Sequence, residues 1–136
     1  MPREFFADTW FFIAFSDRRD SHHRNARRLS TLASGRIVTH DAVLTEFLNF
    51  FAEDGRHVRT AAVATVRNAF LRMNVVPTSG TFFTRALDLY ERRNDKGYSL
   101  VDCMSMELMF ARGITHVLTN DHHFRQEGFT VLSDAP

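Results

Sequence analysis

FFADTWFFIAFS, residues 5–16, decides how the rest of the chain is read. Phe5 to Ala7 is a short apolar run suited to a buried strand, and Asp8 closes it. Thr9 to Ser16 then reads as a first helix. The same order returns near the other end, where ITHVLTND (114–121) places a strand over Ile114 to Leu118 ahead of Asp121. Between them the pattern repeats. Asp20 or Ser21 can cap a helix with Ala26, Leu29, Leu32 and Ala33 on one face, Gly35 stops it, and Arg36 to Thr39 reads as a strand.

A helix begins near Asp41, its apolar stripe Leu44, Phe47, Leu48 and Phe51 recurring at i, i+3, i+4, i+7. Another runs from Val58 to Met73. Val75 and Val76 suit a strand before Pro77, and Gly80 opens a helix carrying Phe83, Ala86, Leu87 and Tyr90. After the loop Asn94 to Gly97, Ser99 caps a helix to Ala111 that Gly113 ends, and Thr130 to Leu132 is a last short strand. Strands alternating with helices predict an α/β fold, a three-layer α/β/α sandwich around a mainly parallel sheet. Its 136 residues fit one domain spanning 1–136. Ligands in such sheets bind beyond the carboxyl ends of strands where strand order reverses. Asp8 and Asp121 both occupy ends of that kind.

Four acids sit in or beside apolar segments: Asp8, Glu46 within VLTEFLNFF, Asp102 within SLVDCMSMELM, and Asp121. A buried ionised carboxylate costs several kcal/mol unless it is paired or binds a cation. Four in so short a chain suggest one shared ion, and carboxylate clusters select hard ions such as Mg²⁺ or Mn²⁺, which commonly serve phosphate chemistry. Each acid also has a plainer reading. Asp8 and Asp121 suit helix N-caps, Ser99 to Asp102 matches a capping box, and Glu46 could pair with Arg59 or Arg67. Caps and a metal site are compatible, because helix N-termini also favour phosphate oxygens.

Composition narrows the class further. No apolar run approaches the roughly 18–20 residues that span a bilayer, the N-terminus lacks signal-peptide features, and the lone Cys103 in an apolar helix fits core packing in a reducing cytoplasm. A net charge of +1 gives no strong field toward nucleic acid, yet the basic residues are sixteen Arg and one Lys. Arg suits bidentate phosphate contact, and base-composition bias explains the count equally. Arg18, Arg19, Arg24, Arg27 and Arg28 form a denser group that suits an RNA backbone or a solvated helix face. Fourteen Phe exceed one stripe per helix, which leaves some for a dimer interface or a partner-helix groove. His22, His23, His122 and His123 show no H-x-x-x-H or CxxC pattern, so zinc is not expected.

Taken in order, FFADTWFFIAF, His22-His23, VLTEFLNFF, KGYSLVDCMSMELM and VLTNDHHFRQEGFTVL resemble a PIN-domain ribonuclease, and within that superfamily the VapC-type toxins of bacterial toxin–antitoxin pairs. The likeness runs over essentially the whole chain, and its most specific motifs are Ser99 to Cys103 and Leu118 to Phe124. It implies a PIN-like fold and an acidic tetrad at Asp8, Glu46, Asp102 and Asp121, none replaced. It further implies Mg²⁺- or Mn²⁺-dependent RNA cleavage leaving a 5′-phosphate, a homodimer, an antitoxin protein that blocks the site, and a cytoplasmic setting. Asp8 and Asp102 would be the main metal ligands, with Asp121 and Glu46 binding directly or through water. Ser99 or Thr119 could hydrogen-bond those ligands from behind. Asn120, where many relatives carry an aromatic or other residue, departs from the pattern at a position that is not a ligand.

Other phosphate enzymes fit less well. An aspartyl-nucleophile phosphatase wants a second Asp where Trp10 stands, a receiver domain wants a strand-end Lys, and His40-Asp41 lacks the further His ligands of an HD-type hydrolase. The alternative from another class is a non-catalytic RNA- or protein-binding module on the same fold.

Overall fold

The computed structural model describes residues 3–134. Five strands, β1 (Phe5–Ala7), β2 (Ile37–His40), β3 (Asn74–Val76), β4 (His116–Leu118) and β5 (Thr130–Leu132), form one sheet in the order β3-β2-β1-β4-β5. Every pairing is parallel. The chain moves from β1 outward through β2 to β3, then returns to β1's other side for β4 and β5. Strand order therefore reverses between β1 and β4. The register Ala7↔Leu118 makes the residues that follow, Asp8 and Thr119, neighbours.

The connections are α1 (Thr9–Ser16), α2 (His23–Leu32), α3 (Asp41–Phe50), α4 (Arg56–Arg72), α5 (Gly80–Arg92), α6 (Leu100–Arg112) and α7 (His123–Gln126). Right-handed crossovers put the helices between β1 and β3 on one face of the sheet and the later ones on the other. The packing agrees: α1 touches α2, α3 and α4, whereas α5 packs on α6. This is the expected three-layer α/β/α sandwich. Its core is one cluster in which Phe6, Phe11, Phe12, Phe47, Phe124, Leu29 and Met109 are fully buried. Among the described residues no helix is long and apolar enough to cross a membrane.

Several boundaries shift for local reasons. α2 starts at His23, because the Asp20 carboxylate accepts the His22 N–H (2.8 Å) and closes a turn before the helix instead of capping it. β4 starts at His116 and not Ile114: Gly113, at φ 69°, ends α6 left-handed, and the Ile114 N–H returns to the Met109 carbonyl (2.9 Å). β2 extends to His40, which is paired with Val76.

Candidate active site

Asp8 leaves β1 at the reversal point and is 6% exposed. It occupies the N-cap position of α1 but makes no side-chain cap bond. Its Oδ2 accepts instead from the hydroxyl of Thr119, the residue that follows β4 beside it, at 2.9 Å. Burial, then the charge of Asp102, lifts the Asp8 carboxyl from its ordinary 3.8 to about 7, against the opposing bonds from the Thr9 N–H and Thr119. Such an acid holds its proton more readily than any ordinary carboxylate.

Asp102 comes from the first turn of α6. Ser99 Oγ accepts the Asp102 N–H (3.0 Å) while Asp102 Oδ2 accepts the Ser99 N–H (3.0 Å), so the capping box is formed in full. Burial raises this carboxyl too, and the charges of Asp121 and Glu46 add to it against the Ser99 bonds. Asp121 sits in the turn between β4 and α7; its N–H donates to Thr119 Oγ1 (3.1 Å) and its Oδ1 accepts the His123 N–H (2.9 Å).

Glu46 differs from its expected setting. It is exposed, not embedded among its apolar neighbours. Val43, Leu44 and Phe47 form the buried face of α3, and Glu46 lies off that stripe, where it accepts a 2.5 Å bond from Thr9 Oγ1. Among the described residues it pairs with neither Arg59, whose guanidinium donates to the Ala52 carbonyl, nor Arg67. Its charge nonetheless raises both Asp8 and Asp102. The four acids thus form one electrostatic group drawn from β1, α3, α6 and the β4–α7 turn.

The tightest donor cluster contains a residue that sequence reasoning set aside. Asp102, Asp121 and His123 each offer an atom within 4.8 Å of the others. His123 Nδ1 lies 3.2 Å from Asp121 Oδ1 and 4.0 Å from Asp102 Oδ2. The only sequence signal was its place two residues after Asp121 at the mouth of a short helix. His122 packs on the His123 ring with centroids 5.0 Å apart, and three other histidines point elsewhere. His23 binds the Ala14 carbonyl (2.9 Å) and His22 packs on Trp10. His40 is a fully buried cap, accepting the Val43 N–H and bonded through Nε2 to Ser105 Oγ (2.9 Å).

The donor set fits a divalent ion: carboxylates predominate, two of them are destabilised as bare anions, and the buried His123 Nδ1 has no hydrogen-bond partner. Asp102, Asp121 and His123 offer donor atoms close enough together to share one, and Asp8 is coupled to them through the charge of Asp102. Comparison with known proteins identifies the family. The sequence matches the PIN domain family over residues 5–129. It is 27% identical over 124 residues to the 23S rRNA-specific endonuclease VapC20 of Mycobacterium tuberculosis H37Rv, spanning 91% of this chain and 94% of that one. The crystal structure of M. tuberculosis VapC20, a sarcin-ricin loop cleaving toxin, superposes with a TM-score of 0.84 at 26% identity over 93% of this chain and 97% of that. DNA-bound VapBC from Salmonella typhimurium shares the fold at a TM-score of 0.71 and 17% identity, over 96% and 97% of the two chains. With the family matched across nearly its full length, this chain belongs to the PIN domain family.

Proposed function

We propose that the protein is a metal-dependent endoribonuclease, the toxin of a VapBC-type toxin–antitoxin pair, with Asp8, Glu46, Asp102 and Asp121 as its catalytic residues. The observation that supports this reading is the electrostatic coupling of the four acids, with Asp8, at the sheet's reversal point, raised to about 7. Carboxylates gathered this way repel one another until a divalent cation neutralises them. Asp8, Asp102 and Asp121 would hold Mg²⁺ or Mn²⁺, which when bound activates a water and stabilises the leaving oxygen of a phosphodiester. Thr119 fixes Asp8 from behind and Ser99 fixes Asp102. Glu46, exposed and hydrogen-bonded to Thr9, would orient or deprotonate the attacking water at the rim.

Two neighbouring surfaces suit the partners. Arg24, Arg27 and Arg28 with His23 and Thr31 line a shallow basic depression of about 320 Å³ on α2, which would hold the RNA backbone. A groove of about 540 Å³ bordered by Ala42, Phe83, Leu100, Val101 and Met104 runs to Glu46, the place for an antitoxin segment that closes the site. Phe70 and Leu71 at the end of α4, 60% and 84% exposed, would be covered in a homodimer.

The deciding experiment is cleavage of RNA with Mg²⁺ or Mn²⁺ by wild type, Asp8→Asn and Asp102→Asn, with and without EDTA. Both variants, and EDTA, should reduce cleavage at least about 100-fold. Wild-type rates in either variant would overturn the assignment, and intact RNA that still binds would make the protein a binding module instead.

A further inference from the structure

We propose that His123 supplies a nitrogen ligand to the metal, which shifts the site's preference from Mg²⁺ toward transition-metal dications such as Mn²⁺ and Co²⁺. The inference rests on the metal-nuclease reading above and refines which ion that centre takes.

Three features carry it. His123 Nδ1 is buried and makes no hydrogen bond, even though Asp121 Oδ1 is 3.2 Å away. A buried polar atom left without a partner usually has one that arrives separately. Its separation from Asp121 Oδ1 is close to the roughly 3 Å expected between adjacent donors on a six-coordinate ion with bonds of about 2.1 Å. The 4.0 Å to Asp102 Oδ2 also lies within the span of two donors on one ion.

The ring is also held in place. Tyr98 meets it edge-on with centroids 5.5 Å apart. Gly97 passes close enough that a Cβ there would stand 3.4 Å from Nε2, in van der Waals contact with the ring. The loop carrying both is tied down behind the ring, because Glu127 accepts from Tyr98 Oη (2.8 Å) and from two nitrogens of Arg93 (3.1 and 3.2 Å). The Nδ1 face is therefore fixed toward Asp102 and Asp121, while Nε2 faces the Gly97 backbone. Imidazole is a borderline donor that favours later first-row dications over Mg²⁺, whose ligands are almost all oxygen.

The test uses the full-length protein with Mn²⁺ as the probe. Pulsed EPR of the Mn²⁺-loaded protein should show coupling to a ¹⁴N nucleus that changes on ¹⁵N-histidine labelling. It should persist in His122→Ala and vanish in His123→Ala and His123→Gln. Calorimetry should show Mn²⁺ and Co²⁺ affinity falling at least about tenfold in both His123 variants, while Mg²⁺ affinity moves no more than about twofold. Circular dichroism and a melting curve check that each variant is folded, and the wild-type coupling stands as evidence even if neither is. No nitrogen coupling in a wild type that binds Mn²⁺ and cuts RNA would overturn this proposal alone. So would an equal loss for Mg²⁺ and Mn²⁺, which would make His123 a support for Asp121. A wild type that binds no divalent ion would overturn the nuclease reading with it.

Discussion

Asp8 and His40 occupy corresponding places on adjacent strands, and the sandwich treats them in opposite ways. Each follows or ends a strand at the sheet's carboxyl edge, sits at the N-cap of the next helix and is almost wholly buried. His40 is complete: one ring nitrogen caps α3, the other meets Ser105, and Phe6 and Phe82 pack on the ring. Burial depresses its pKa from 6.5 to about 4, so it stays neutral. Asp8 makes no cap, meets one side-chain hydroxyl and is pushed the other way, to about 7. A buried group at ease in its protonation state belongs to the architecture; one that burial and a neighbouring charge destabilise as an anion is left for a cation.

Asp8→Asn gives the largest expected effect and tests this contrast most directly. Cleavage should fall at least about 100-fold, while the metal-free protein should become more stable at pH 8. The rise from 3.8 to about 7 bounds that gain at roughly 4 kcal/mol. Chemical denaturation with EDTA reads the second arm, and a destabilised variant would erase the contrast.

His40→Ala should do the reverse, losing about 3 kcal/mol of stability through a cavity and an uncapped α3 while folded protein retains cleavage. The pH dependence separates the two groups. A histidine lowered from 6.5 to about 4 contributes stability that is present above 6.5 and lost as pH falls toward 4, up to roughly 3 kcal/mol. A carboxyl raised to about 7 contributes stability that is present below 3.8 and lost as pH rises through 7. In chemical denaturation of metal-free wild type between pH 4 and 7 the two contributions oppose and stability should be nearly flat, whereas His40→Gln should lose stability as pH rises through that window.

Thr119→Val removes the one hydroxyl holding Asp8 and should weaken Mn²⁺ binding about 10–100-fold by calorimetry. Unchanged binding would mean that Asp8 needs no support. Tyr98→Phe is the smallest change, about 1 kcal/mol in a melting experiment, from the lost bond to Glu127.

Much of this was readable before any coordinates. Apolar runs ending in acids located β1 with Asp8 and β4 with Asp121, and Ser99 to Asp102 carried its capping box in plain spelling. What eluded the sequence depended on distant contacts. Glu46 looked embedded because its neighbours are apolar, but a helix turns 100° per residue, and Val43 and Phe47 face inward while Glu46 does not. Boundaries at His23 and His116 turned on single hydrogen bonds. His123 was invisible because its orientation is fixed by Gly97 and Tyr98, some 25 residues away along the chain.

Asp102 carries two jobs with one side chain, and that overlap has a dynamic consequence. Oδ2 accepts the Ser99 amide, so the rotamer is frozen as soon as α6 begins to wind. An arriving cation meets a lever already set, with no torsional search left to delay capture. Slow, temperature-steep loading in stopped-flow mixing would betray a hinge there; prompt loading paced by water exchange is what this locked torsion entails.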